Sequence, residues 1–435
     1  MKIEKKLWIT LFVFGLFAIG FSGWIFSQST AREKLLWDNT IRFETKKLTD
    51  GEIKSENIAL PEDFDDPRSI LFKTTHTIAE VWLDGEKIYE YGNEEDAPSF
   101  MKSPGSCWHI VNIPEDSAGK SLEVRIIPVY DNYYGNEVSI VYGTRGNCVL
   151  KILMDSFKTL LLSCGILFAS IICLLLYLGA VRRKRRDETE TKIEVFLNLG
   201  FFSLLIAVWT LAQCGFLQFL IPDGRTLYFV DYFSFFLFPV PFNFLLYDIC
   251  KSRYHKGALI FPILYLANMA ADVLLQCTGI IDIFRLLPAT HVIMVANAVY
   301  TVALILYEAR KEGNDEAKKF QYPMCVLIVF GMVEMFLYYL RKFQQTSILL
   351  PIGTLLFIIM LIWIQVSQYY DQYIQKQKVI YLQKIANMDM LTEAMNRNAY
   401  EDMVKYLDEG EIKLSTTGVV VFDLDDLKVI NETRH

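Results

Sequence analysis

The chain is 435 residues long, with 53% hydrophobic residues and a formal net charge of −7 at pH 7. Its mean hydropathy of +0.27 is high for a soluble protein, and its apolar residues are collected in long runs, which is typical of a membrane protein. The mild acidic charge argues against a nucleic-acid-binding protein, and eight cysteines without a CxxC pair argue against a zinc site.

The first apolar run extends from Leu7 to Phe26 and follows three lysines. With about 20 residues it is long enough to cross a bilayer, and it is longer than the core of a signal peptide. We therefore predict that residues 1–27 form a cytoplasmic start and a membrane anchor. Ser27 and Ser29 behind the run leave cleavage open as the alternative.

Residues 28–152 are polar and mixed in charge, and they predict an extracytoplasmic β-sandwich. The short apolar stretches at 70–72 and 122–127 indicate strands. A hairpin is predicted around Asp84 and Gly85, because an Asp-Gly pair supplies the positive φ angles that a two-residue turn needs.

Several aromatic and cysteine side chains in this segment allow two interpretations. Amphipathic aromatic residues suit a sugar-binding platform, but packing in the core explains them equally well. Two cysteines either form a disulfide or stay free, because spacing in the sequence does not show proximity. The aromatic candidates are Trp82, Trp108, His109, Tyr133 and Tyr134, and the cysteines are Cys107 and Cys148.

Seven further apolar runs follow, and each is long enough to cross a membrane. With the N-terminus inside, one anchor plus seven helices places every strongly basic loop in the cytoplasm, as the positive-inside rule requires. Residues 153–364 are therefore predicted as a seven-helix region, and the basic loop 182–186 is expected to contact anionic lipids. The runs are placed at 154–181, 194–213, 230–250, 258–277, 286–307, 322–340 and 348–369.

Five polar side chains fall within or near these runs. Glu334 lies inside a span, where it either lines a ligand or ion cavity or bonds to a neighbouring helix. Asp272 and His291 lie near the outer ends of their spans, where interfacial water tolerates polar groups, so structural roles are expected. Asp231 and Asp248 are placed at helix ends, where they are expected to pair or cap.

Residues 365–388 continue the last predicted membrane helix into polar sequence. Neither Gly nor Pro occurs before Gly410, and side chains at intervals of three or four form a short coiled-coil-like stripe. A dimeric signalling helix is one explanation, and a solvated extension of a single helix is the other. The stripe consists of Tyr370, Ile374, Gln377, Tyr381, Ile385 and Met388.

Two blocks near the C-terminus carry the residues with recognisable chemistry. The first reads D-M-L-T-E-A-M-N-R over residues 389–397, and the second reads V-V-V-F-D-L-D-D-L-K-V-I-N-E over residues 419–432. An apolar run without alternation predicts a buried strand, and carboxylates at a strand end lie where α/β sheets bind ligands. Asp423 supplies the hard oxygen ligands that Mg²⁺ prefers, with phosphates completing the shell.

These blocks resemble the opening of the GGDEF family of diguanylate cyclases, which typically reads D-x-L-T-G-L-x-N-R and then D-x-D-x-F-K-x-x-N-D. The resemblance implies an α/β domain, begun in residues 389–435, that joins two GTP molecules into cyclic di-GMP with Mg²⁺. By this resemblance Asp423 and the backbone carbonyl of Leu424 would bind metal, Lys428 would approach the phosphates, and Asn431 would bind guanine. The matching positions of the first block are Asp389, Leu391, Thr392, Asn396 and Arg397.

The chain also departs from the family pattern. Glu393 and Ala394 replace the glycine and leucine of the first motif, and His435 stands where a glycine is expected. The GG[DE]EF hairpin, with its second metal carboxylate, does not occur in the 435 residues. Since phosphoryl transfer depends on positioned metal ions, we interpret the chain as truncated and expect it not to make cyclic di-GMP by itself.

The order of the segments resembles the bacterial seven-transmembrane receptors with diverse intracellular signalling modules. That resemblance rests on architecture, and it implies a jelly-roll-like sandwich and an extracellular small-molecule ligand such as a carbohydrate. It further implies a homodimer formed through the signalling helix, in the cytoplasmic membrane with the C-terminus inside. Two alternatives are a transporter with an accessory domain and a catalytically inactive partner that dimerises with intact cyclases.

Overall fold

A computed structural model divides the chain into two compact units, Met1–Leu361 and Ile362–His435. The first unit contains a β-sandwich followed by a helical bundle, and the predicted anchor at residues 1–27 lies outside the described residues. The structure describes residues 40–44, 55–60, 68–93, 97–134, 136–184, 194–340, 348–389, 392, 394–409, 418 and 420.

In the described residues, the β-sandwich has eight strands in two antiparallel sheets of four, which confirms the predicted sheet domain. The first sheet has the order β1-β8-β3-β6, and the second has the order β2-β7-β4-β5. The strands are β1 (Thr40–Glu44), β2 (Ser55–Ala59), β3 (Arg68–Thr75), β4 (Thr77–Leu83), β5 (Glu86–Tyr91), β6 (Ser106–Asn112), β7 (Ser121–Pro128) and β8 (Glu137–Thr144).

One hydrophobic core lies between the two sheets. Along β4 and β7 every second residue is buried, because successive side chains of a strand point to opposite faces. In β3 both faces are covered, because Leu71 packs on the other side against Cys148 and Ile152 of the helix that follows β8. The sandwich core includes Ile70, Phe72, Val81, Leu122, Val124, Ile126 and Ile140.

The predicted hairpin is confirmed. The two residues between β4 and β5 are Asp84 and Gly85, and their φ angles are 45° and 87°. Two consecutive positive φ angles are typical of a type I′ turn, whose twist matches that of the flanking strands. The strands predicted at 70–72 and 122–127 are likewise found within β3 and β7.

By length and composition, seven helical stretches in the described residues can cross a membrane, which makes this a multi-pass membrane protein. These stretches contain the apolar centres of the seven predicted runs. The helices are α1 (Arg145–Lys184), α2 (Glu194–Ala212), α3 (Gly224–Leu237), α4 (Pro239–Ile249), α5 (Ile260–Cys277), α6 (Ile283–Arg310), α7 (Asp315–Leu340) and α8 (Leu349–Asn387).

The start of the first membrane helix differs from its prediction. α1 begins at Arg145, directly after β8, whereas the sequence placed the domain boundary at 153 and the helix start at 154. Hydropathy marks only the apolar centre of a membrane helix, and the first turns of α1 are polar. The sandwich and the bundle are therefore joined without a linker.

The span predicted at 230–250 also differs, because it is built from two helices. α3 begins earlier, at Gly224, where the side chain of Asp223 accepts hydrogen bonds from two backbone N–H groups of the first turn. The helix stops before Pro239, because a proline ring has no N–H to continue the backbone ladder. α3 and α4 together form the third candidate membrane span of the described residues.

The sandwich packs against the bundle through a shared aromatic cluster. Large rings from both parts are buried together, and such burial is the main stabilising contribution at contacts of this kind. The sandwich supplies Met101, Tyr130 and Tyr133, and the bundle supplies Tyr228, Tyr232, Phe236, Ile283, Phe284 and Leu287.

Gln218 closes one exposed edge of the sandwich. β6 is an edge strand, and the backbone N–H of Trp108 donates to Oε1 of Gln218 at 2.7 Å. The side-chain Nε2 of Gln218 donates back to the carbonyl oxygen of Trp108 at 2.6 Å. Edge strands carry unpaired backbone groups, so this one side chain takes the place of a neighbouring strand.

Among its described residues, the second unit contains the end of α8 and one further helix, α9 (Arg397–Asp408). α8 continues as helix through residues 365–387, which confirms that the last membrane helix extends into the polar sequence. All side chains at 371–386 are exposed in the single chain. The homodimer that would cover the stripe stays a prediction.

Candidate functional site

A cavity of about 170 Å³ lies inside the helical bundle. Residues of α2 to α7 line it, together with Leu350 at the start of α8. An engineered protein cavity of about 150 Å³ takes up benzene, so this volume admits a ligand about the size of one six-membered ring. The cavity is the first candidate for a ligand site in the part of the chain that the structure describes.

Most of the cavity wall is aromatic or otherwise apolar. The ring centroids of Trp209 and Phe235 are 5.5 Å apart, and those of Phe202 and Phe242 are 5.7 Å apart. Rings at these separations attract one another, so the wall is preformed by its own packing. The aromatic members are Phe202, Trp209, Tyr232, Phe235, Phe238, Phe242, Tyr265 and Tyr338.

A few polar side chains interrupt this apolar wall. Gln213 donates from Nε2 to Oδ1 of Asp231 at 3.0 Å, and Nδ1 of His291 is 2.8 Å from the hydroxyl of Tyr339. Asn297 donates weakly to the hydroxyl of Tyr265. Because hydrocarbon offers no hydrogen-bond partners, polar groups inside a membrane bundle bond to one another or line a cavity, and these do both.

The predicted position of Asp231 at a helix end is wrong. Because α3 begins at Gly224, Asp231 lies in the middle of the helix, where it is 9% exposed and lines the cavity. The other two aspartates have structural partners, as predicted: Asp248 accepts from Asn198 at 2.7 Å, and Asp272 accepts from Asn268 at 2.8 Å.

Glu334 lines the cavity and also holds the first turn of α8. Its Oε2 accepts hydrogen bonds from the backbone N–H of Leu349 at 2.6 Å and of Leu350 at 3.1 Å. The first N–H groups of a helix have no partner within the helix, and a carboxylate there is favourable for the helix dipole. Glu334 therefore both lines a cavity and bonds to a neighbouring helix, and a ligand or ion in that cavity stays a prediction.

Replacing Glu334 with alanine is expected to lower the free energy of unfolding by about 2 kcal/mol, because two backbone N–H groups of α8 lose their acceptor. Glu334→Gln keeps an acceptor oxygen and loses only the charge, so its cost is expected to be about 0.5–1 kcal/mol. Thermal unfolding of the purified protein measures both. Equal losses in the two variants would contradict a capping role.

A smaller crevice of about 30 Å³ lies between the sandwich and the bundle. His76 and Trp108 of the sandwich line it, and it shares Gln213, Asp231 and Tyr232 with the bundle cavity. A volume of this size is enough for a water molecule with polar partners. The bonded pair Gln213–Asp231 therefore borders both spaces.

His76 is a buried residue of this interface that the sequence did not single out. It connects β3 to β4 with a φ of 52°, and its side chain is 1% exposed. Nδ1 is 2.6 Å from Oγ of Ser103, whereas Nε2 has no hydrogen-bond partner in the described part of the chain. A lone histidine between two strands forms no pattern, so only the folded chain reveals it.

Aromatic rings from both domains surround the His76 imidazole. The centroids of Tyr130 and Tyr133 from the sandwich are 5.6 and 5.2 Å away, and those of Tyr228 and Phe284 from the bundle are 5.7 and 4.7 Å away. Burial in this apolar setting lowers the pKa of His76 to about 3, because a charged imidazole would lose its water. The interface thus holds a neutral histidine.

The aromatic residues predicted as a possible sugar platform do not form one. Tyr133 is buried in the cluster between the domains, and Trp108 is bonded to Gln218 through its backbone. Trp82 lies apart from them on the other sheet, where the cations of Arg125 and Lys87 stand 4.7 and 5.1 Å from its ring centroid. Tyr134 is half-buried.

His109 and the two cysteines are core residues. The ring nitrogens of His109 lie 2.6 Å from Oγ1 of Thr74 and 2.9 Å from the hydroxyl of Tyr89, and burial lowers its pKa to about 3. Cys107 and Cys148 are buried free thiols, which answers the open question of a disulfide. Burial raises the pKa of the Cys107 thiol to about 12, so it is protonated and unreactive at neutral pH.

In the second unit, the described residues of the 389–397 block lie between α8 and α9 and bond to one another. Oδ1 of Asp389 accepts from the backbone N–H of Thr392 at 3.0 Å and from its hydroxyl at 2.9 Å. Asn396 caps α9 by accepting from the N–H of Ala399, and its Nδ2 donates to the carbonyl oxygen of Ala386 at 2.7 Å. These motif residues therefore tie the two helices together.

Replacing Asn396 with alanine is expected to cost about 1–2 kcal/mol in the local stability of this turn, because a helix cap and a bond to α8 are lost together. Amide hydrogen exchange at the first turn of α9 measures the effect. Arg397→Ala is the matched control, because the ion pair of Arg397 with Glu401 is exposed and contributes about 0.5 kcal/mol or less. Equal exchange rates in both variants would contradict a stabilising role of the Asn396 hydrogen bonds.

The remaining motif positions lie outside the described residues. They include Leu391 of the first block and Asp423, Leu424, Lys428 and Asn431 of the second, so their predicted roles stay predictions. No protein-family model and no curated protein matches the chain. The resemblance to GGDEF proteins therefore rests on the motif residues themselves.

Proposed function

We propose that this chain is a membrane sensor of the diguanylate cyclase type, in which a ligand in the bundle cavity controls a GGDEF output. The sandwich lies on the extracytoplasmic side, and the segment from Asp389 onward lies in the cytoplasm. This orientation is supported by the basic loop at 182–186 and the other basic loops, which all fall on one side of the membrane under the positive-inside rule.

The observation that carries this proposal is the path of α8. Its first turn borders the cavity through Leu350 and is held by Glu334, which lines the same cavity. The same helix continues without a break to Asn387, where the Asp389 turn begins. A ligand that favours one packing of the cavity wall would therefore act on the helix that enters the output segment.

The strand order of the sandwich supports the finer assignment of a jelly roll. Strands β1, β8, β3 and β6 face β2, β7, β4 and β5, which is the order that two interleaved Greek keys produce. Jelly rolls occur in lectins, so an extracellular carbohydrate remains a candidate partner of the sandwich.

The output assignment rests on the two motif blocks. In the intact family domain, GTP is the substrate and Mg²⁺ the cofactor; Asp423 and the Leu424 carbonyl would hold the metal, with Lys428 and Asn431 on the nucleotide. Two such domains must meet, which is consistent with a homodimer through the exposed residues 371–386 of α8.

A fusion of residues 1–388 to an intact GGDEF domain tests the proposal. Seven residues inserted within 371–386 keep the phase of the stripe to within about 20°, whereas five rotate it by about 140°, towards the opposite side of the helix. We expect the first insertion to keep the cyclic di-GMP output near that of the unmodified fusion, and the second to change it at least about tenfold. Filling the cavity with Ala298→Trp should also change the output.

If the cyclic di-GMP output of the fusion is the same with both insertions and with the filled cavity, signalling through α8 is contradicted. Uptake of labelled solutes into vesicles that contain the full chain distinguishes the transporter alternative. Uptake that Ala298→Trp abolishes, without any change of cyclic di-GMP, would replace the sensor proposal.

A further inference from the structure

A groove lies between α6 and α7, close to the loop that joins these two helices. It has a volume of about 420 Å³ and is lined by the C-terminal part of α6 and the N-terminal part of α7. Tyr322 and Cys325 line it and are exposed, so the groove opens on the outer surface of the bundle. Since α6 and α7 are both long and apolar enough to cross a membrane, that surface faces lipid.

The groove is about as long as one leaflet of a bilayer is deep. On α6 it extends from Thr301 to Arg310, which are nine residues apart. Because an α-helix rises 1.5 Å per residue, this separation is about 14 Å along the helix. One leaflet contributes about 15 Å to the hydrocarbon core. The groove therefore has the length to hold an acyl chain of a single leaflet.

The chemistry of the wall changes along this length. The part of the groove far from the joining loop is apolar and includes Val302 and Ile305. Arg310 and Lys318 line the end next to the loop, and the amide side chain of Gln321 follows one turn after Lys318 on α7. A phospholipid has the same order of groups, with a phosphate, then glycerol esters, then hydrocarbon.

The acidic side chains of this region do not line the groove in the part of the chain that the structure describes. Asp315 pairs with Lys318 at 2.8 Å, but the pair is solvent-exposed and therefore weak enough for a phosphate to compete with it. Glu308 is buried and accepts the backbone N–H groups of Lys251 and Ser252. The acidic residues near the loop are Glu308, Glu312, Asp315 and Glu316.

Two cations at the mouth of an apolar groove favour an anionic headgroup. Basic pockets between membrane helices on the cytoplasmic side are typical binding sites for anionic lipids, and a guanidinium such as that of Arg310 can bind a phosphate with two parallel hydrogen bonds. A choline headgroup brings a positive charge of its own, which the two cations repel. In the orientation proposed above, the joining loop lies on the cytoplasmic side with the other basic loops.

We propose that the groove between α6 and α7 binds an anionic phospholipid, with its phosphate at Arg310 and Lys318 and an acyl chain along α6. This site differs from the bundle cavity, although Thr301 and Ile328 border both spaces. The proposal goes beyond the sensor function and does not require it.

Lipid titrations of the purified full chain in detergent test the headgroup. Native mass spectrometry measures the apparent affinities for phosphatidylglycerol and for phosphatidylcholine with identical acyl chains. Because two basic residues face the headgroup, we expect phosphatidylglycerol to bind at least about tenfold more tightly. Equal affinities for the two lipids would overturn the proposal.

Arg310→Gln and Lys318→Gln test the position of the headgroup. We expect each variant to weaken phosphatidylglycerol binding about fivefold and to leave phosphatidylcholine binding unchanged. Lys311→Gln and Lys319→Gln are the matched controls, because these neighbouring lysines are exposed but are not among the residues described as lining the groove. Equal losses in the controls would show that surface charge alone attracts the lipid, and would refute the groove as its site.

Val302→Trp tests the acyl chain, because the larger side chain fills the apolar part of the groove. We expect it to weaken phosphatidylglycerol binding at least about fivefold. Val299→Trp is the matched control, because Val299 lies one turn earlier on α6, is 66% exposed and does not line the groove. Unchanged binding in a folded Val302→Trp would contradict the acyl-chain assignment, and the exposed charge variants decide the question if Val302→Trp does not fold.

Two other occupants of the groove are distinguished by the same measurements. Glycerol 3-phosphate carries the phosphate without acyl chains, so displacement of phosphatidylglycerol at equal concentration would assign the site to free phosphates and overturn the lipid proposal. A change from dimer to monomer in Val302→Trp, with lipid binding unchanged, would make the groove an interface between copies of the chain and overturn it as well. Detergent gives lipid access to both ends of the bundle, so the result is independent of the membrane orientation and of any cyclic di-GMP output.

Discussion

Replacing Gly105 with alanine is expected to detach the sandwich from the bundle. Gly105 has a φ of 82°, and a methyl group there would overlap the carbonyl oxygen of Gly224, the first residue of α3. The overlap is between two backbones, so no side-chain rotation relieves it. A positive φ angle costs an alanine about 1–2 kcal/mol, and the steric overlap adds about 1–3 kcal/mol. We therefore expect the free energy of unfolding to fall by about 3 kcal/mol.

Hydrogen exchange of the Trp108 amide measures this separation, because that N–H donates across the interface to Gln218. Gly119→Ala is the matched control: Gly119 also has a positive φ, of 70°, but nothing lies within 4 Å of an added methyl group. We expect the control to lose only the cost of the backbone angle and to keep the Trp108 amide protected. Similar exchange in the two variants would show that the close approach does not hold the domains together.

Lowering the pH from 7 to 5 is expected to destabilise the sandwich and its contact with the bundle by about 4 kcal/mol. Burial lowers the pKa of both His76 and His109 to about 3, whereas an unfolded histidine titrates near 6.5. The unfolded chain therefore binds more protons below pH 6.5, and stability is lost as the pH falls from there towards 3. Each histidine contributes about 2 kcal/mol between pH 7 and 5.

Among the described residues, the groups in contact with the two imidazoles are neutral, and burial is the cause of both lowered pKa values. Ser103 and four aromatic rings face His76, while Thr74, Tyr89 and the thiol of Cys107 face His109. Urea unfolding of the full chain at pH 7 and 5 measures the effect. We expect His76→Gln and His109→Gln each to remove about half of the difference in unfolding free energy between pH 7 and pH 5. An unchanged difference in both variants would refute the attribution of the pH dependence to these histidines.

Both predictions concern the same contact between the domains. The carbonyl oxygen of Gly105 accepts a hydrogen bond from the backbone N–H of His76 at 2.8 Å. The residue that approaches Gly224 is therefore bonded directly to the buried histidine. A change at either residue is therefore expected to reach the crevice and the Asp231 end of the cavity.

Sequence patterns that involve only neighbouring residues predicted much of the fold. The Asp84-Gly85 pair sets a turn through its own backbone preferences, and the apolar runs are recognisable because a bilayer demands about 20 such residues wherever the helix packs. Helix ends were less accurate, as at Arg145 and Gly224, because polar turns beyond the bilayer leave no mark in hydropathy.

The candidate site was only partly predictable. Glu334 was recognised because a carboxylate inside an apolar run stands out, and Asp389 and Asn396 were recognised by their motif. Asp231 was misplaced with the start of its helix, and His76 gave no signal at all. Aromatic residues such as Tyr133 look alike in the sequence whether they face a ligand or another domain.

By itself the sequence determined the apolar centres of the membrane spans in the described residues, the sheet segment and its hairpin, because each depends on neighbouring residues or on a uniform solvent. Only the tertiary structure decided which rings enclose the cavity, which carboxylate borders it, and which histidine is left neutral between the domains. Those properties depend on residues far apart in the chain, such as Gln218 with Trp108, and on water that their contact removes.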